Sequence, residues 1–145
     1  SESRDASVFQ KNIIRSYLDI LLYKLANLLY TKKAAAQEPT NIPALLALIE
    51  EEYMAHHPIS FYTERLQVNA QKLNTLCKLQ LNKTVSELLQ DRLMTEAKRL
   101  LAYSTLTISE IAYELNFSDN SYFNRFFKRL EGLTPEQFRT QLKVP

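Results

Sequence analysis

Apolar residues recur every three or four positions along the chain, with polar residues between them. That period belongs to helices packed by one face; half-buried strands alternate with a period of two. From Ser7 to Thr31, Ile14, Leu18, Leu21, Leu25 and Leu28 step by four, three, four and three, the spacing of a heptad seam. Ile13, Tyr17, Leu22, Leu29 and Tyr30 widen the stripe. Such a helix must bury its face against a second copy, a domain not present here, or the domain that follows. Lys32–Asn41 breaks the pattern with A-A-A-Q-E-P-T-N and marks a boundary. The expected division is 1–41, an N-terminal helix and linker, and 42–145, one further domain.

Within 42–145 the pattern predicts short helices joined by tight turns. A helix opens near Pro43, carries Leu45, Leu46, Leu48 and Ile49 on its apolar face, and ends near His56, His57 and Pro58. Ser60 is then expected to cap a helix through Gln67. Gln67, Val68 and Asn69 form a turn, and Asn69 caps a helix with Leu73, Leu76, Cys77 and Leu81 inward. Asn82 stands where a left-handed residue ends a helix. Thr84 and Glu87 make a capping box for a connector of about twenty residues to Tyr103, roughly 30 Å long. Val85, Leu88, Leu89, Leu93, Ala97, Leu100 and Leu101 line one face of it.

A denser repeat of the same design follows. Thr107 and Glu110 form a capping box, Leu106 and Ile111 a hydrophobic staple, and Ile108, Ile111, Ala112 and Leu115 one apolar stripe. Asn116 ends that helix, Phe117 plugs the turn, and Ser118 or Asp119 caps the next, which buries Phe123 and Phe127. Gly132 ends it, and Thr134-Pro135-Glu136-Gln137 opens a last helix that packs through Phe138 and Leu142. The fold class is therefore all-α: two helix-turn-helix subdomains joined by a long connector helix, with an appended N-terminal helix.

The outward faces carry the chemistry. On the second recognition helix Asn120, Ser121, Asn124 and Arg125 bear groups that hydrogen-bond base edges, and Lys128 and Arg129 suit phosphates. On the first, Gln71, Lys72, Asn74 and Thr75 face out, and Lys72 and Lys78 suit phosphates. The plainer reading of both faces is the solvated side of a helical hairpin.

Charge and composition change this picture little. The chain has 145 residues and net charge +2, all of it within Ser1–Asn41. A basic excess is the usual footprint of a nucleic-acid binder, so this weighs slightly against one. Glu50, Glu51 and Glu52 concentrate negative charge early, however, and from His56 onward bases exceed acids, 12 to 9. One glycine leaves no room for a phosphate-binding glycine loop. His56 and His57 lack further ligands at metal spacing, and Ser, Asp and His residues are scattered without motif context. No metal, cofactor or enzymatic activity is expected. The single Cys77 lies on an apolar stripe, reads as core filler, and suits a reducing cytoplasm. No long uncharged apolar run suggests a membrane span, and the opening residues have no signal-peptide character.

Four stretches carry a resemblance: F-Y-T-E-R-L-Q-V-N in the first motif, A-K-R-L-L in the connector, I-S-E-I-A-Y-E-L-N-F-S-D-N-S-Y-F-N-R-F-F-K-R in the second, and G-L-T-P-E-Q-F-R at the end. From about Ile42 to Gln141 the chain resembles the DNA-binding domain of the AraC/XylS family of bacterial transcription regulators. It departs from the family pattern at Thr63, Cys77, Asn82 and Asn116, where an alanine, an aromatic residue and two glycines are usual. The resemblance implies sequence-specific binding of double-stranded DNA in the bacterial cytoplasm, with two recognition helices in successive major grooves and base reading by Gln71, Asn74, Thr75, Asn120, Ser121 and Arg125. It implies activation or repression of promoters, often through RNA polymerase, and an N-terminal sensory or dimerising domain of which the helix before Lys32 resembles the end. Ile14, Leu18, Leu21, Leu25 and Leu28 are the candidate seam of a homodimer. The alternative is a helical protein-interaction module that reads no DNA.

Overall fold

A computed structural model describes residues 2–33 and 41–143. The expected boundary at Lys32–Asn41 lies mostly outside the described residues. Eight α-helices and no strand are present among them: α1 (Glu2–Lys33), α2 (Asn41–Glu52), α3 (Ile59–Leu66), α4 (Ala70–Leu81), α5 (Val85–Tyr103), α6 (Ile108–Glu114), α7 (Asn120–Glu131) and α8 (Pro135–Leu142). A 3-10 turn, Tyr53–Ala55, follows α2. Among the described residues no helix is long and apolar enough to cross a membrane.

The chain forms two compact units, one from Leu18–Arg92, the other from the residues through Tyr17 with those from Leu93 onward. In the Leu18–Arg92 unit α2 packs on α3 and α4. Ile42, Leu45, Ile49, Tyr53, Tyr62, Leu73, Cys77 and Val85 are its buried core. Burial pushes the Cys77 thiol up, away from the reactive thiolate. The Tyr62 hydroxyl is buried with no hydrogen-bond partner among the described residues. Burial, with Glu52 nearby, raises its pKa to about 12.

Glu50, which the sequence shows only as part of an acidic run, is a structural anion. Arg92 grips it through Nε at 2.7 Å and Nη2 at 3.0 Å, and Lys24 approaches to 3.4 Å. The Arg92 guanidinium also lies 4.1 Å above the Tyr53 ring. Burial alone would push the Glu50 carboxyl up; the bonds and charge of Arg92, with Lys24, outweigh that and hold it below the usual carboxylate range. His57 meets Glu52 at 3.2 Å and stacks on Phe61 at 3.8 Å, while His56 takes the left-handed conformation that closes the 3-10 turn.

The start of α3 corrects the expected cap. Ser60 lies inside the helix, and Pro58, extended at φ −69° and ψ 162°, is the boundary residue. Proline holds its φ near that value, which suits the extended residue ahead of a helix, and the helix starts two residues earlier than a Ser60 cap would set it.

The second unit is built on a chain of rings. Phe117 lies 5.1 Å from Phe123 and 5.2 Å from Phe126; Phe123 reaches Phe127 at 6.1 Å, Phe127 reaches Phe138 at 5.4 Å, and Phe138 meets Phe9 of α1 at 5.1 Å. Leu93, Met94, Ala97, Leu101, Ile111, Ala112 and Leu115 complete this core. Lys98 of α5 pairs with Glu131 of α7 at 2.7 Å. Arg139 of α8 reaches back to the end of α5, where its guanidinium donates to the carbonyls of Leu100, Leu101, Ser104 and Leu106.

The first half of α1 joins this unit by one face. Ala6 and Ile13 are buried, and the Tyr17 hydroxyl donates to Glu96 at 2.7 Å. The seam points elsewhere: Ile14, Leu18, Leu21, Leu25 and Leu28 are all more than half exposed.

Candidate nucleic-acid interface

The second helix-turn-helix is set by local chemistry. The Thr107 hydroxyl accepts the Glu110 amide at 3.1 Å and starts α6. Asn116 ends the motif's first helix in the left-handed conformation, φ 58°, which asparagine tolerates through its short polar side chain. The Phe117 amide returns to the Ala112 carbonyl at 3.0 Å, and its ring is buried in the turn. Of the two caps considered for α7, Asp119 serves, accepting the Tyr122 amide at 2.6 Å. The complete reciprocal capping box occurs at Thr134 and Gln137.

α7 has two unlike faces. Phe123, Phe126 and Phe127 are buried inward; the burial of Phe126 is not among the sequence-based expectations. Asn120, Ser121, Arg125, Lys128 and Arg129 are exposed. The Arg129 guanidinium carbon lies 5.9 Å from the Phe126 ring centroid. Asn124 is half-buried and turns back along the helix, its Nδ2 donating to the Asn120 carbonyl at 2.7 Å and to the Asn120 Oδ1 at 3.0 Å. Tyr122, half-exposed and 5.5 Å from Phe117, is not among the expected site residues. Its hydroxyl suits a phosphate oxygen, and its place between the cap and the first buried phenylalanine is the available signal.

The first motif repeats the design with looser parts. Gln67 takes the left-handed position, φ 53°, and Asn69 caps α4 by accepting the Lys72 amide at 2.7 Å. Val68, in the place of Phe117, is only half-buried. Gln71, Lys72, Thr75 and Lys78 are exposed. Asn74 is not: half-buried, its Oδ1 accepts the Val85 amide at 3.0 Å and so caps the start of α5. The Thr75 hydroxyl donates to the Gln71 carbonyl at 2.8 Å, leaving only its lone pairs for a partner. Of the three candidate base readers on α4, Gln71 alone keeps its polar end unspent among the described residues.

Comparison with known proteins agrees with this geometry. A family described as "Helix-turn-helix domain" matches residues 62–141. The HTH-type transcriptional activator RhaR of Cronobacter sakazakii is 30% identical over 104 residues, 72% of this chain and 37% of that protein. This chain thus spans little more than a third of that relative. Among solved structures, the C-terminal domain of the two-component response regulator yesN from Fusobacterium nucleatum aligns with a TM-score of 0.61 at 30% identity, over 66% of this chain and 94% of that one. The C-terminal domain of AraT, a response regulator from Geobacillus stearothermophilus, shares the fold, with a TM-score of 0.65 at 24% identity over 76% and 91%.

Proposed function

The chain belongs to the AraC-type helix-turn-helix family, and from that premise we propose that residues 42–145 bind specific double-stranded DNA sequences and regulate transcription initiation. The observation that carries this reading is α7: three phenylalanines fix one face, and the other presents Asn120, Ser121 and Arg125 with Lys128 and Arg129 behind them. Those are base-edge and phosphate groups in the order a recognition helix needs, its first residues toward the bases. α4 enters a second major-groove segment, with the connector's length near one turn of the duplex as the support. RNA polymerase is the further partner the family implies, and the cytoplasm is the compartment where both meet.

The two motifs share the work unequally. Arg125 is exposed, and its fork can take guanine O6 and N7 together. Arg125→Ala should cost about 1–3 kcal/mol on the preferred site and relax preference at one base pair. Gln71→Ala should cost less and act about one helical turn away. Lys128→Ala, removing a phosphate contact, should weaken all sequences alike and shallow the salt slope by about one unit. Binding to a site selected from random DNA and to a scrambled duplex, over a salt series, measures all three. Equal weakening of both duplexes by Arg125→Ala would make Arg125 a phosphate clamp, and a larger loss from Gln71→Ala would reverse the ranking.

The N-terminal helix is the homodimer element of this reading. Its support is a seam with heptad spacing whose five members are 53–66% exposed. Sedimentation of the chain should show a dimer, and Leu21→Glu, at a position 58% exposed, should shift it to monomer without loss of helix. A wild-type chain that stays monomeric at high concentration contradicts the proposal.

A further inference from the structure

The two motifs run in step, residue for residue, at one constant offset. Asn69 and Asp119 cap the recognition helices, Asn82 and Gly132 close them, and Thr84 and Thr134 cap the helices that follow. Val85 and Pro135 are then equivalent, and both are fully buried. They differ in one group. Val85 has a main-chain N–H, which donates to the Asn74 Oδ1 at 3.0 Å; proline has none to give. Asn124, the counterpart of Asn74, bonds along its own helix to Asn120 instead.

Apolar packing differs in the opposite sense. In the second motif Phe123, Phe127 and Phe138 join α7 to α8, with successive ring centroids 6.1 Å and 5.4 Å apart. Their counterparts in the first are Leu73, Cys77 and Leu88, which are smaller and carry no ring. Interlocked rings fix two helices through their area and their preferred angles. In place of rings, α4 has the directional bond from Val85 to Asn74. Val85 opens α5, so its amide has no partner within that helix and needs one from outside. Asn74 stands three residues after Gln71, its neighbour on the surface of α4. Resting on the reading of α4 as a base-reading helix, we propose that Asn74 is a positioning residue, which clamps α4 to the start of the connector so that Gln71 meets its base pair.

Three variants of the intact chain test the clamp. Asn74→Ala removes the acceptor. Val85→Pro removes the donor, and proline suits the first turn of a helix, as Pro135 does in α8. Asn74→Asp keeps an acceptor, with a charge that a helix N-terminus favours, but loses the amino group that a base contact would use. Sites selected from a random duplex pool by the wild type, by Gln71→Ala and by Arg125→Ala locate the base pair that each side chain reads. Affinities are then measured for duplexes altered at one pair or the other. Discrimination is a ratio of affinities, so a smaller folded fraction does not change it. Asn74→Ala and Val85→Pro should each lower discrimination at the Gln71 pair by about fivefold or more, leaving that at the Arg125 pair unchanged. The double variant should lose no more than either single one, since both break the same bond. Asn74→Asp should discriminate as the wild type does. Unchanged discrimination at the Gln71 pair in both single variants, or an equal loss at both pairs, would overturn the clamp while leaving the DNA-binding reading intact. A changed preference in Asn74→Asp would mean that more than the acceptor counts, and would overturn it too. A wild-type chain that selects no sequence would overturn the DNA-binding reading, and the clamp with it.

Discussion

Phe127→Ala is expected to cost about 3–5 kcal/mol of stability, the range for removing a buried phenylalanine ring. Phe127 is fully buried and sits mid-chain in the ring series, 6.1 Å from Phe123 and 5.4 Å from Phe138. Its ring joins α7 to α8, and Phe138 passes the contact to Phe9 of α1. Helices on several sides hold the space open, so the cavity cannot collapse cheaply. Domains of this size have about 5–15 kcal/mol in total, so the loss removes a large share. Denaturant unfolding followed by helical signal should show a much lower midpoint, with DNA binding lost in parallel. Phe126→Ala, at the edge of the core beside Arg129, should cost less. A loss under about 1 kcal/mol at Phe127 would mean that the ring series is not the mechanical core of this unit.

Arg139 should rank next. Its Nε donates to the Leu101 carbonyl at 3.1 Å, its Nη1 to Leu106, and its Nη2 to Leu100 at 3.3 Å and Ser104 at 3.5 Å. The last carbonyls of a helix have no partner within it. At the end of α5 a cation from α8 supplies the donors and favours the negative end of the helix dipole. Arg139→Met keeps the stem but takes the charged donor from the half-buried carbonyls of Leu101 and Leu106, whereas Leu100 keeps the amide and hydroxyl of Ser104; it should cost about 2–5 kcal/mol, since charged bonds are worth about 1.5–3 kcal/mol each and do not add. Arg139→Lys should fall between, because an ammonium cannot spread its donors over the same arc as the planar fork. Denaturation of the wild type and both variants, with amide exchange over Ser104–Asn116, measures this; the lysine variant should exchange faster there than wild type. A lysine variant as stable as wild type, with the same exchange, would mean that the fork geometry is irrelevant.

The parts of this fold legible in the sequence are those governed by neighbours a few residues away. Asn69 and Thr134 cap where expected, and Asn82, Asn116 and Gly132 turn left-handed where expected, because each is decided by a side chain's own reach or backbone freedom. Gln67 carries no such mark and is left-handed because the turn between α3 and α4 requires it. The extent of α1, from Glu2 rather than Ser7, is hidden by polar opening turns that give no periodic signal. Partners distant in sequence are not legible at all. Glu50 meets Arg92 and Arg139 meets four carbonyls, and neither pairing leaves a spacing to read. At the site, the outward arc of α7 follows from its period, whereas the diversion of Asn74 to the Val85 amide depends on how α4 meets the start of α5.

The central claim, that this chain reads DNA sequence, is tested most directly by one titration. The intact chain is added to a duplex selected from a random pool and to a scrambled duplex of the same composition, over a series of salt concentrations. The selected duplex should bind at least about a thousandfold tighter at physiological salt, and log affinity for both should fall linearly with log salt. Equal affinity for the two duplexes, or no binding of either at low salt, would contradict it.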